Sequence, residues 1–213
     1  MDPLYTPTGV FIAFEGGDGG GKSTQARLLA EHLRGLGLDV LLTREPGGTE
    51  VGAALRSIVL DPATGDLSPR TEMLIYAADK AEHVESVVLP ALAAGQVVIT
   101  DRYVDSTLAY QGVGRGLDLA EMESVARWAT GSLRPHLTVL LDIDPAAAFH
   151  RFDVPDRIEA EPPVFHARVR AFYLELAARD PEHYVVIDAA REPEAVQADV
   201  VAAVAALTSR VTS

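Results

Sequence analysis

The chain has no cysteine and no asparagine, and only two of its 213 residues, Lys22 and Lys80, are lysine. Without cysteine there is no disulfide, no thiolate zinc site and no cysteine nucleophile, a usage that fits a reducing compartment. Without asparagine there is no N-K-x-D segment of the kind with which a GTPase reads guanine, so the switch-GTPase class falls away. No apolar run approaches the roughly 18 residues needed to cross a bilayer. The opening stretch, Met1 to Thr8, has neither the basic nor the apolar portion of a secretory signal. A cytoplasmic protein with no membrane contact is expected. Positive charge is scarce too: 18 Lys and Arg stand against 31 Asp and Glu, a net charge of −13. That balance repels nucleic acid unless basic residues gather in a patch. The sequence shows no such patch, so no nucleic-acid partner is expected, and any cation near a phosphate motif carries more weight. The six histidines are scattered without a paired ligand spacing, which leaves no protein-only metal cage.

What the sequence does have is alternation. Short β-rich apolar runs recur at Val10 to Phe14, Val40 to Leu42, Val97 to Ile99, Leu137 to Ile143 and Tyr184 to Ile187. Helical patterns begin near Lys22, Val51, Ser68, Leu119, Pro163 and Pro193, most of them behind a Ser, Thr, Asp or Pro start signal. Such a rhythm builds a parallel sheet with helices on both faces. A length of 213 residues, 48% hydrophobic and 23% charged, suits one continuous core, so residues 1–213 are expected to form one domain. Two segments without periodicity are candidate flaps: glycine-rich Gln111 to Leu117, and Arg151 to Pro163, which mixes charge with three prolines.

Residues Gly16-Gly17-Asp18-Gly19-Gly20-Gly21-Lys22-Ser23 match G-x-x-x-x-G-K-[ST], entered from the strand Val10 to Phe14 and left by a helix opening at Thr24. The glycines let backbone N–H groups turn inward on phosphate oxygens at a helix N-terminus. Lys22 neutralises developing charge and the Ser23 hydroxyl ligates Mg²⁺. The pattern calls for a nucleoside triphosphate with Mg²⁺ and an α/β, three-layer P-loop NTPase fold with a five-stranded parallel sheet. A second strand, Val97 to Thr100, runs into Asp101-Arg102, at the carboxyl edge where open α/β sheets bind ligands. Asp101 is a candidate for the Mg²⁺ shell and Arg102 offers a fork to a phosphate. Asp142, after Val139-Leu140-Leu141, is the rival carboxylate.

Five ordered segments carry a resemblance: Glu15 through Thr24, Thr43-Arg44-Glu45-Pro46-Gly47-Gly48-Thr49, Asp101-Arg102-Tyr103, Ala109-Tyr110-Gln111-Gly112 and Asp156-Arg157-Ile158-Glu159. Together with a sixth, Leu74 through His83, they resemble bacterial thymidylate kinase over nearly the whole chain. The resemblance implies transfer of phosphate from ATP to dTMP by a homodimer. It implies that Tyr76 stacks on the pyrimidine while Lys80, i+4 on the same helical face, bonds its O4 edge. Relatives usually carry arginine at position 80; lysine keeps the charge and loses the planar fork. It implies base and sugar contacts from Thr107, Tyr110 and Gln111, with Tyr110 crowding a ribose 2′ hydroxyl. Arg56 and Arg102 resemble the pair that grips the acceptor phosphate, with Asp18 and the Glu45-Pro46 turn lining the same pocket. The lid falls at about residues 150–162, where Arg151 and Arg157 are the available catalytic cations. Rival readings are another nucleoside or nucleoside monophosphate kinase, and a nucleotide-binding regulatory module without acceptor turnover.

Overall fold

In a computed structural model of the chain, residues 8–148 and 155–208 are described. The elements run β1 (Val10–Glu15), α1 (Lys22–Gly35), β2 (Val40–Arg44), α2 (Glu50–Leu60) and α3 (Pro69–His83), which continues through a π-helical turn, Val84–Val88, into α4 (Leu89–Ala93). Then come β3 (Val97–Asp101), α5 (Val104–Thr107), a π-helical stretch Leu108–Gly114, α6 (Leu119–Ala129), β4 (Leu137–Asp142), α7 (Pro145–Ala148), α8 (Pro163–Arg179), β5 (Tyr184–Asp188) and α9 (Pro193–Thr208). The start signals work as their chemistry requires. Thr49, Ser68 and Asp118 accept the orphan N–H groups of Gly52, Thr71 and Glu121 at the openings of α2, α3 and α6.

The sheet has five strands in the order β2-β3-β1-β4-β5, and every pairing is parallel. Both faces are covered over the central strands β3, β1 and β4, which is why these read as unbroken apolar runs. Val10, Ile12 and Phe14 of β1 face a cluster built with Ala26, Leu29 and Leu33 of α1 and Val196, Val200 and Val204 of α9. The alternate residues Phe11 and Ala13 face Val84, Val88, Leu92 and Tyr103 on the other side. A third cluster joins α3, α6 and α8 around Tyr110, Phe165 and Tyr173.

Register then assembles the site. Asp101 at the end of β3 pairs with Phe14 of β1 and with Arg44 of β2, so the chain leaves three adjacent strands side by side. The phosphate loop, the Arg44-Glu45-Pro46 turn and the Asp101-Arg102 corner therefore open onto one edge.

Of the two candidate flaps, Gln111 to Leu117 is corrected by the structure. Leu108 through Gly112 and Gly114 are buried in the π-helical stretch. The glycines there serve close packing: a Cβ on Gly112 would lie 2.7 Å from a Leu119 methyl, and one on Gly114 2.6 Å from the Phe165 ring. Of the other, residues 149–154, including Arg151, lie outside the described residues. The rest forms a turn in which Ile158 is buried.

Candidate active site

The phosphate loop bends where only glycine fits. Gly16 has φ 133°, and a Cβ there would lie 2.3 Å from the Leu141 carbonyl oxygen. Gly21, at φ 82°, caps α1 in the left-handed region, so the helix begins at Lys22 with its first N–H groups facing the loop. Lys22 is only 6% exposed, and its Nζ donates to the Gly17 carbonyl at 2.7 Å. Burial, with Arg102 nearby, lowers the ammonium to about 8, against the pull of Asp18, Asp101 and Glu15. Ser23 Oγ donates to Asp101 Oδ2, bringing together the two oxygen donors expected to hold Mg²⁺. That pair suits the ion, which is commonly held by one or two carboxylates plus substrate phosphates. The rival, Asp142, is occupied elsewhere: Arg170 grips it with Nε at 2.7 Å and Nη2 at 2.9 Å.

Beside the loop lies a cleft of about 510 Å³. Asp18, Glu45, Pro46, Arg56, Tyr76, Lys80, Arg102, Thr107, Tyr110 and Gln111, expected to bind the acceptor, all line it. Of the loop, Gly19, Gly21, Lys22, Ser23 and Thr24 line it as well, while Gly16, Gly17 and Gly20 stand behind.

Arg102 is held at φ 71°, a conformation costly for a side-chain-bearing residue and one that clusters at functional sites. Its amide donates to Phe14 O at 2.9 Å, and its guanidinium reaches Gly16 O at 3.2 Å, Ser106 Oγ at 3.0 Å and Asp18 Oδ1. Tyr110 completes the group, its hydroxyl donating to Asp18 Oδ2 at 2.7 Å and its ring centroid lying 5.1 Å from the guanidinium carbon. Burial raises the Asp18 carboxyl, but Arg102 and Lys22 outweigh it and hold the group below its ordinary value.

Elsewhere in the lining Lys80 Nζ donates to Glu45 Oε2 at 2.7 Å, with side-chain exposures of 2% and 0%. His83 Nδ1 meets Glu45 Oε1, also at 2.7 Å. Lys80 thus faces the cleft beside Tyr76 while holding a buried carboxylate. Arg56 donates to Pro46 O at 2.9 Å across the mouth.

Arg157 is placed differently from the other candidate cations. It does not line the cleft, although Asp156, Ile158 and Glu159 do. Its Nε donates to Val59 O at 2.8 Å and its Nη2 to the buried Glu72. Its ion-pair partner is not a neighbour in sequence: it is Glu72, 85 residues away.

Sequence reasoning also passed over three groups. Arg44 lines the cleft, and its place at the end of β2 is the same signal that marked Arg102. Ser106 lines it too and bonds Arg102. Glu15, with no exposure, accepts from Tyr103 N at 2.8 Å, Ser106 N at 3.1 Å, Ser106 Oγ at 2.6 Å and Tyr173 Oη at 2.9 Å. It pins the segment carrying Arg102 and Tyr110 to the strand that feeds the phosphate loop.

A family profile for thymidylate kinase matches residues 14–200. The chain belongs to the thymidylate kinase family. Among its relatives, the thymidylate kinase of Leifsonia xyli subsp. xyli is 54% identical over 196 residues, 90% of this chain and 92% of its own. That of Cutibacterium acnes is 53% identical over 181 residues, 85% and 89% respectively. The crystal structure of thymidylate kinase from Ehrlichia chaffeensis superposes with a TM-score of 0.78 at 32% identity, covering 93% of this chain and 99% of that one. The expected fold, a five-stranded parallel sheet sheathed in helices, is thus present and matches that of a solved thymidylate kinase.

Proposed function

We propose that the protein transfers the γ-phosphoryl group of ATP to dTMP, giving ADP and dTDP. One observation carries the reading beyond family membership: every residue expected to bind the acceptor lines a single cleft that opens directly on the phosphate loop. In the reaction a dTMP phosphate oxygen attacks the γ-phosphorus as the bridging oxygen leaves with ADP. Positioning and charge stabilisation are what such a transfer needs from a protein. Lys22 and the loop amides hold the triphosphate. Arg102, oriented by Asp18 and Ser106, and Arg56 hold the acceptor phosphate, while Tyr76 and Tyr110 pack on its base and sugar. Ser23 and Asp101 would hold Mg²⁺, which when bound neutralises phosphate charge. Residues 1–213 act as one domain with a lid at about 150–162, of whose two arginines Arg151 is the one left for the transferring group.

The working unit is a homodimer in the cytoplasm. Among the described residues no helix is long and apolar enough to cross a membrane. Helices α2, α3 and α6 expose Val51, Ile58, Leu74 and Trp128, the last at 84%, apolar side chains for a second copy to cover. Sedimentation of Trp128→Glu as a monomer against a wild-type dimer checks this.

A coupled ADP-release assay over dTMP, dUMP, dCMP, dAMP and dGMP, with and without Mg²⁺, tests the function. Turnover with dTMP well above the purine nucleotides supports it. ATP binding with no acceptor-dependent turnover would favour a regulatory module instead.

A further inference from the structure

Glu72 lies on α3 one turn before Tyr76, is completely buried, and does not line the cleft. Its Oε1 accepts from Gln111 Nε2 at 2.9 Å and Arg115 Nε at 3.1 Å, and its Oε2 from Arg115 Nη2 at 3.1 Å and from Arg157. Burial raises this carboxyl, but the hydrogen bonds from Arg115, Gln111 and Arg157 hold it below its ordinary value. It is therefore ionised and can only accept.

That has a consequence for Gln111, which lines the cleft. A glutamine amide has one donating and one accepting end, and the assignment follows from its partners. Facing an ionised carboxylate, Gln111 must present its NH₂ group; the flipped rotamer would set carbonyl against carboxylate. The carbonyl is then the end of the amide that a ligand can meet. Thymine and uracil carry a donor at N3, whereas cytosine carries an acceptor there.

We infer that Glu72 is a positioning residue for base selectivity: by locking the amide of Gln111 it makes the cleft admit a pyrimidine with an N3–H and exclude one without. The inference rests on the reading of the cleft as a nucleoside monophosphate site. Glu72 touches no substrate and acts through Gln111 alone. Glutamine at position 72 could pair with either end of the Gln111 amide, which frees it to turn.

The test is a cycle of Glu72→Gln, Gln111→Leu and the double variant, each assayed for kcat/KM with dTMP, dUMP and dCMP. The lid and triphosphate sites are common to all three acceptors, so effects on them cancel in the ratios. Glu72→Gln is expected to lower the dTMP-to-dCMP ratio by about tenfold or more, because a site built around a hydrogen bond rejects strongly only while its partner is fixed. The dTMP-to-dUMP ratio stays unchanged, since both bases carry N3–H. In the Gln111→Leu background, Glu72→Gln has no further effect on the dCMP ratio. An unchanged dCMP ratio in Glu72→Gln, or losses that multiply in the double variant, overturns the inference and leaves the kinase reading intact. A wild-type protein that ignores dTMP removes both. Nuclear magnetic resonance of the wild-type protein decides the case should Glu72→Gln fail to fold. The Gln111 side-chain NH₂ protons, identified by their loss in Gln111→Leu, are expected to exchange slowly and to keep their shifts when dTMP fills the cleft. A large shift of those protons with dTMP overturns the inference.

Discussion

Replacing Lys80 with methionine should damage stability as well as recognition, and the two effects can be separated. Lys80 Nζ lies 2.7 Å from Glu45 Oε2, and both side chains are buried, at 2% and 0% exposure. Removing one partner of a buried pair costs about 3–5 kcal/mol, because the other charge stays buried without compensation. For a protein of this length each kcal/mol shifts Tm by about 2–4 °C, so Lys80→Met should melt about 6–20 °C lower. His83 stays on Glu45 Oε1, which favours the smaller end. Glu45→Gln combined with Lys80→Met should recover most of the loss. The pH dependence carries a sign. Burial raises the Glu45 carboxyl, and Lys80 and His83 more than reverse that, leaving it below the ordinary 4.5. Its contribution in the wild type is therefore present above pH 4.5 and lost as pH falls through the lower folded value. Without Lys80, burial dominates, the pKa rises, and protonation relieves the variant: its deficit should shrink between pH 7 and pH 5. Neighbouring Asp79, whose carboxyl burial also raises, adds like charge and acts in the same direction. Thermal melts at both pH values decide. A Tm loss under about 2 °C, or a deficit equal at pH 7 and pH 5, refutes the reasoning. Below the melting range, loss of the ammonium should weaken dTMP by about 1.5–3 kcal/mol in calorimetry and leave ATP affinity unchanged.

Three further outcomes are expected. Lys22→Ala should lower turnover by about 10²–10³-fold, as loss of one charge-stabilising donor does. Because burial beside Arg102 holds Lys22 near 8, wild-type ATP affinity should fall by up to about tenfold per unit above pH 8, a slope that vanishes in Lys22→Arg. Tyr110→Ala should raise the relative kcat/KM for the ribonucleotide, whereas Tyr110→Phe, which keeps the ring and loses only the hydroxyl's bonds to Asp18 and Arg102, should preserve the deoxy-to-ribo ratio; equal ratios in all three proteins assign Tyr110 to packing. Arg157→Ala should cost about 1–3 kcal/mol of stability through its bonds to Glu72 and Val59, with single-turnover rates held within about tenfold of wild type, while Arg102→Ala slows chemistry by about 10³-fold or more. A 10³-fold loss in Arg157→Ala would return the transferring role to it.

The central strands were legible because they are covered on both faces, which forces continuous apolar runs such as Val10 to Phe14. The phosphate loop was legible because its backbone geometry admits little besides glycine at Gly16 and Gly21. Glycine misled at residues 112 and 114, where the same residue type that permits a turn instead permits contact with Leu119 and Phe165. Spacing alone cannot tell these uses apart. The partners of Glu72 come from residues 111, 115 and 157, brought together only by tertiary packing, so no local pattern announces them. The fold also buries Lys22, which no motif announces; the motif carries its chemistry and not its dielectric surroundings.

Both lysines of a chain with net charge −13 line one cleft, together with Arg44, Arg56 and Arg102. The cleft is not a bare basic patch, however, since Asp18, Glu45, Asp101, Asp156 and Glu159 line it too. Attraction of loose cations therefore cannot be the organising device. Arg102 is already gripped by Asp18 and Ser106, and Lys80 by Glu45, before any ligand arrives. A phosphate that reaches Arg102 meets a guanidinium whose rotamer entropy was lost on folding, so less of the binding energy is consumed in ordering it. The carboxylates that share the sign of an anionic substrate are what hold the cations in register for it, and that register, more than net charge, is what phosphoryl transfer requires.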